Sequence, residues 1–212
     1  MTKEALVLAL MRSGVLQSER ITRALRAVDR ADFVPKEQKH LAYADEALSI
    51  GFEQTISQPY TVVFMLERLA AEEGDVVLEV GYGSGWQTAL LAELVGKKGR
   101  VYAMEIVPEL CSFGKENVAK YPVLSARVSF FCKDASVGIT DIVKTEGGFD
   151  RIIAAASVPR VPKVWREQLK AGGVILYPKD GSIFKETKNE EGGFAVDEYP
   201  GFAFVPFVEQ RT

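Results

Sequence analysis

Histidine is nearly missing from this chain: His40 is the only one in 212 residues. A mechanism built on a His pair, a His-rich metal site or a catalytic triad has that single side chain to draw on. Cysteine is almost as scarce, and Cys111 and Cys132 stand at no metal-ligand spacing. Two cysteines exclude a disulfide framework, so both are expected to be reduced thiols filling the core of a cytoplasmic protein. The start, Met1-Thr2-Lys3-Glu4, lacks the charged-then-apolar form of a signal peptide. No apolar run approaches the roughly 18 residues of a membrane span, and no membrane partner is expected. A basic excess is missing too. The 26 Lys and Arg against 29 Asp and Glu leave a formal charge of −3, which argues against a nucleic-acid footprint.

What remains is ordinary globular material, 47% hydrophobic and 26% charged, in a length that suits one domain. Leu6, Val7, Leu10 and Met11 form one helical stripe; Ile21, Leu25 and Val28 form another behind Ser18, a predicted N-cap. Arg20, Arg23, Arg26 and Arg30 interleave with the second stripe and read as a solvated polar face. The stretch from Asp32 to Gly51 reads as loop, and Pro59 opens a helix that buries Val62, Met65, Leu66 and Leu69. From Asp75 the pattern alternates. Strands are predicted at 76–80, 101–104, 128–132, 149–156 and 174–177. Helices fall at 88–95, 108–121, 141–144 and 162–169, the last stopped by Gly172-Gly173. Such spacing implies right-handed crossovers and a parallel sheet covered on both faces. The tail from Ile183 to Val208 reads as antiparallel edge strands. The predicted fold is α/β and doubly wound, one domain over 1–212, with a helical and loop extension (1–58) before the α/β core (59–212).

The sharpest local signal is Glu79-Val80-Gly81-Tyr82-Gly83-Ser84-Gly85, between the first strand of the alternation and a helix. At the carboxyl ends of parallel strands, such a loop lines the natural ligand crevice. A dinucleotide fingerprint would place glycine at 86, where Trp86 stands, and Glu79 would repel a pyrophosphate. A cationic or zwitterionic ligand would be welcome there. Glu105 ends the second strand, where a carboxylate accepts ribose hydroxyls, and Asp134 follows the third, within reach of an adenine amino group. Three strand-end acids with no P-loop lysine fit S-adenosylmethionine better than a nucleotide phosphate.

From Phe33 to Phe207 the chain resembles the protein-L-isoaspartate O-methyltransferases of the class I methyltransferase superfamily. The resemblance is carried by Phe33-Val34-Pro35, Ala42-Tyr43, Gln54-Thr55-Ile56-Ser57-Gln58-Pro59-Tyr60, the glycine loop with Trp86-Gln87, Phe149-Asp150-Arg151-Ile152-Ile153 and Gln168-Leu169-Lys170-Ala171-Gly172-Gly173. Phe204-Val205-Pro206 is similar to the family's closing strand. The resemblance implies methyl transfer from S-adenosylmethionine, leaving S-adenosylhomocysteine, to the α-carboxyl of L-isoaspartyl residues in aged proteins, a repair reaction without a metal. It implies Ser57 as the active-site serine, with Gln54, Thr55 and Ile56 beside the substrate. Glu79, Gly81, Gly83 and Gly85 would hold the methionine half of the cofactor, Glu105 and Ile106 the ribose, Asp134 and Ala135 the adenine end. A monomer with isoaspartyl peptides and proteins as its partners is expected.

The chemistry suits the composition. A carboxylate nucleophile with a pKa near 4 is ionised at pH 7 and needs no general base. Other readings stay open at this point: another methyl acceptor, or a non-catalytic S-adenosylmethionine-binding relative. Ser57 also reads as a cap of the helix at Pro59, and Tyr82 and Trp86 either as cofactor-site lining or as packing. Against the family pattern, Glu53 replaces a glycine and is expected to face solvent, while Lys133-Asp134-Ala135 replaces Gly-Asp-Gly.

Overall fold

A computed structural model describes residues 1–208; residues 209–212, which the single-domain expectation includes, lie outside the described residues. Helices α1 (Lys3–Arg12) and α2 (Glu19–Ala27) come first. The Ser18 hydroxyl accepts from the N–H groups of Arg20 and Ile21 at the start of α2. The polar face of α2 is only half solvated. Arg23 and Arg26 are exposed, but Arg20 donates to the carbonyls of Ala71 and Leu94, and Arg30 is buried.

The stretch read as loop contains a strand. β1 (Leu48–Gly51) pairs antiparallel with β2 (Gln54–Ile56), and Phe52 and Glu53 between them both adopt positive φ, 54° and 58°. Two consecutive left-handed residues make the twist a tight hairpin needs. Glycine suits that geometry, which explains the family's usual residue at position 53. Glu53 is exposed, as expected.

After α3 (Pro59–Leu69) come β3 (Val76–Val80), α4 (Trp86–Val95), β4 (Arg100–Glu105), α5 (Pro108–Ala119), α6 (Pro122–Ser125), β5 (Val128–Cys132), α7 (Ile142–Glu146), β6 (Phe149–Ala154), α8 (Lys163–Gln168), β7 (Leu169–Lys179), β8 (Ser182–Lys188) and β9 (Phe194–Pro200). The order across the main sheet is β5-β4-β3-β6-β7-β8-β9, parallel from β5 to β7 and antiparallel beyond. Fold class and edge strands are as predicted. Gly172 and Gly173 differ: they lie inside β7, where the register slips against β6, rather than ending α8. All five residues of β3 are buried, as a central strand covered on both faces requires. One apolar cluster runs from Leu6 through Val63, Leu90 and Val101 to Ile183, so the N-terminal extension packs on the sheet's own core.

The cysteines overturn their prediction. Cys111 of α5 and Cys132 at the end of β5 are joined by a disulfide, and Cys132 is exposed rather than a core filler. Strand β5 lies at the sheet edge with α5 packed on it, so two residues far apart in sequence meet there. The reduced-thiol argument for a cytoplasmic location falls with it.

Candidate active site

Strand order reverses between β3 and β6, and a crevice opens at their carboxyl ends. The cavity there has a volume of about 980 Å³. That is the upper end of the roughly 300–1,000 Å³ range for small-molecule sites, enough for a cofactor with an acceptor side chain beside it. Glu79 and the loop from Gly81 to Ser84 form its floor; Glu105 and Ile106, then Lys133 and Ala135, form one side; Gln54 to Gln58 form the other, while Gly85 and Asp134, both expected at the cofactor, stand behind the lining. The segment from Pro200 to Phe207 closes it with an apolar wall. Its backbone is tied to Ser157, whose N–H donates to Val205 O and whose carbonyl accepts from Phe207 N–H. The expected closing strand is therefore a single parallel bridge, Ser157 to Pro206.

The loop's geometry depends on glycine at one position above all. Gly85, φ +84°, sets the left-handed start of α4, and a Cβ there would stand 2.6 Å from Gly114 O and 2.8 Å from Val118 Cγ2 of α5. Contact that close locks the loop to α5. Tyr82 and Trp86, the two aromatics flanking the motif, are both buried and both line the cavity.

Glu79 is fully buried. Its Oε1 accepts from Gln87 Nε2 at 3.2 Å, while Oε2 has no hydrogen-bond partner among the described residues. Burial pushes the carboxyl up to about 7; Thr88 and Gln87 pull it down, and the nearby Glu105 raises it further. A buried carboxylate oxygen left unpaired calls for a cationic partner. Glu105 is already engaged: Oε1 accepts from the N–H groups of Ile106 and Val107, and Oε2 from Gly83 N–H at 3.0 Å. Three bonds leave one of a carboxylate's roughly four lone-pair positions for a ligand hydroxyl. The expected adenine contact at Asp134 is placed less directly. Its carboxylate accepts from Ser136 N–H at 2.7 Å and caps the turn that begins at Ala135.

Ser57 is half-buried on the opposite wall. The helix-capping reading of it is not met: Gln58 holds the cap position of α3 without a side-chain bond, and Asp45 Oδ1 accepts from Tyr60 N–H instead. The Ser57 hydroxyl makes no hydrogen bond among the described residues, which leaves it for a ligand. Gln54 and Ile56 stand on the same wall with Thr55, whose side is the more exposed. Exposed His40 is far from any such role, on the surface turn before Leu41. Sequence reasoning missed Arg30 and Asp45, which hold the Ser57 segment, and no motif points to either. It also missed Gln87 and Thr88 on Glu79. An acid inside the apolar run of β3, with polar residues one helical turn past the loop, is the signal that marks them.

Residues 1–212 match the family described as Protein-L-isoaspartate(D-aspartate) O-methyltransferase. The chain belongs to that family. The protein-L-isoaspartate O-methyltransferase of Ignicoccus hospitalis is 36% identical over 214 residues, 99% of this chain and 98% of its own. That of Staphylothermus marinus is 41% identical over 174 residues, 80% and 75% of the two chains. Among solved structures, a candidate protein-L-isoaspartate O-methyltransferase of Plasmodium falciparum in complex with S-adenosyl-L-homocysteine shares the fold at TM-score 0.89, with 23% identity over 99% of this chain and 100% of its own. Another named protein-L-isoaspartate O-methyltransferase superposes at TM-score 0.85, with 27% identity over 97% of this chain and 65% of its own.

Proposed function

We infer that this member of the family methylates the α-carboxyl of L-isoaspartyl residues with S-adenosylmethionine as donor, and that Ser57 orients the acceptor. The observation that carries the reading is the pairing of an acid-floored crevice with an uncommitted hydroxyl on the facing wall. When bound, S-adenosylmethionine supplies an electrophilic methyl on a sulfonium. The residues present fit it: the unpaired Glu79 Oε2 supplies negative charge beneath the positive end, Gly81 and Gly83 let the backbone approach, and the Glu105 carboxylate faces the ribose side with Ile106 beside it. Ala135 lines the adenine end, and Asp134 shapes it from behind by capping the turn that begins there. Residues 1–58 supply the acceptor side and 59–212 the cofactor side.

The acceptor carboxylate arrives ionised, so no residue has to remove a proton. Ser57 Oγ donates to one carboxylate oxygen and leaves the other free to attack in line. Gln54, Thr55 and Ile56 flank the isoaspartyl backbone, and the wall from Phe202 to Phe207 keeps water out. Alignment of this kind lowers the barrier by up to about 7–11 kcal/mol. The protein acts as a monomer on damaged proteins, with neither nucleic acid nor membrane as partner; its acidic charge balance supports the nucleic-acid part.

The test is transfer of labelled methyl to an isoaspartyl peptide, with the normal aspartyl isomer as control. Labelling confined to the isoaspartyl peptide is expected; equal labelling of both, or of neither, would overturn the reading. Ser57→Ala should turn over about 10- to 100-fold more slowly at unchanged melting temperature, because Ser57 caps nothing. Normal turnover in that variant would remove Ser57 from the mechanism.

A further inference from the structure

Arg30 is the most deeply buried cation among the described residues, 2% exposed, and none of its hydrogen bonds goes to a carboxylate. Its Nη1 donates to Ala42 O at 2.8 Å and, more weakly, to Ala44 O at 3.4 Å; its Nη2 donates to Glu46 O at 3.0 Å and Ser57 O at 3.1 Å. The guanidinium also lies 5.3 Å from the ring centroid of Trp86, the first residue of α4 and part of the cavity wall. Burial draws its pKa down to about 10, with Asp45 and Glu46 opposing the fall, so it is charged at neutral pH. An isolated buried charge is expensive. The site tolerates this one because a ring of carbonyl dipoles and an aromatic face surround it.

We propose that Arg30 is a positioning residue of methyl transfer: its guanidinium ties the 42–46 loop and the Ser57 backbone to the start of α4, and so sets where the Ser57 hydroxyl stands against the donor methyl. The proposal rests on the role given to Ser57 above. That hydroxyl has no side-chain partner among the described residues, so its place is the place of its backbone. Arg30 holds the Ser57 carbonyl, and Asp45, in the loop Arg30 clamps, holds Tyr60 N–H by Oδ1 and Gln58 Nε2 by its carbonyl. The clamp reaches the start of α4 through Trp86. One planar fork thus joins the Ser57 wall to the helix that follows the glycine loop. A lysine ammonium, a point charge without that fork, cannot meet carbonyls on both loops at once.

Arg30→Ala removes a buried cation and is liable to misfold, so Arg30→Lys is the informative variant. Four quantities are measured on it and on the wild type: melting temperature, S-adenosylhomocysteine affinity by calorimetry, kcat and KM for an isoaspartyl peptide, and amide exchange over residues 42–60. The expected result is a folded Lys variant with cofactor affinity within about 3-fold of wild type and kcat lowered about 100-fold, as a displacement near 1 Å produces. Faster exchange from 42 to 60 should accompany it. Wild-type kcat in Arg30→Lys would overturn the proposal. So would a kcat loss matched by equal losses of cofactor affinity and melting temperature, which marks a merely structural residue. If the wild type fails to distinguish isoaspartyl from aspartyl peptide, the functional reading fails. The exchange arm still decides the clamp: unchanged exchange in Arg30→Lys overturns it.

Discussion

Replacing Glu79 by glutamine should make the free protein more stable and a poorer cofactor binder, and the first effect should depend on pH. In the folded protein burial holds the Glu79 carboxyl at about 7, against an ordinary value of 4.5. A carboxyl raised on folding contributes its full stability below the unfolded value, and loses it as pH climbs from 4.5 to about 7. At 1.36 kcal/mol per pH unit, that interval corresponds to about 3 kcal/mol. Glutamine carries no charge to desolvate. Its carbonyl can take the bond from Gln87 Nε2. Glu79→Gln should therefore match the wild type near pH 4, exceed it by about 1 kcal/mol at pH 5.5 and by about 3 kcal/mol at pH 8. Urea denaturation of both proteins from pH 4 to 8, without cofactor, measures this. A stability difference that does not change with pH, or a wild type that is the more stable at pH 8, would refute the reasoning.

Two further substitutions probe departures that the structure explains. Glu53→Gly relieves a left-handed residue worth about 1–2 kcal/mol, partly offset by about 0.4–1 kcal/mol of added freedom in the unfolded chain. A net gain of roughly 0.5–1 kcal/mol is expected in denaturant midpoint, with KM for isoaspartyl peptide unchanged because Glu53 is exposed on the hairpin turn. A several-fold drop in KM would place Glu53 in the substrate's path instead. Converting Cys111 and Cys132 to serine together removes a cross-link between positions 21 apart, which by chain entropy alone should lower stability by about 3 kcal/mol. Urea denaturation without reductant tests it, and equal stability of the double variant would mean that the cross-link adds nothing.

Elements with a local cause were legible in the sequence. Val76 to Val80 reads as a strand because a run of five with three valines can be buried on both faces; Ser18 and Pro59 announce their helices because caps act within one turn. Strand β1 escaped because Leu48-Ser49-Ile50 alternates over too few residues to show a period. Gly172-Gly173 misled because glycine marks a helix stop and a strand irregularity equally well. The disulfide was illegible in principle: Cys111 and Cys132 are neighbours only once β5 lies at the edge with α5 on it. Much of the site followed from the glycine loop and the segment around Ser57. Arg30 did not, because an arginine at the end of an amphipathic stripe looks solvated until a loop of carbonyls folds over it.

The scarcity of histidine and the burial of Glu79 have one physical explanation. A reaction between an ionised carboxylate and a sulfonium needs no proton relay, which fits the exposed place of His40 outside the crevice. A fully buried carboxylate destabilises the free protein by about as much as glutamine would restore. A cation at Oε2 draws the carboxyl back toward its ordinary value and recovers that energy as binding affinity. The two effects of Glu79→Gln share one cause: the charge that costs the free protein stability at pH 8 is the charge that a bound cation stabilises. At pH 5.5, where the free wild type already carries a proton on Glu79, binding must first expel it. Wild-type affinity for S-adenosylmethionine should therefore fall as pH drops below 7, by up to about tenfold per unit, while that of Glu79→Gln stays flat over the same range. Calorimetry at pH 6 and 8 reads both slopes, and parallel slopes would assign the proton to another group.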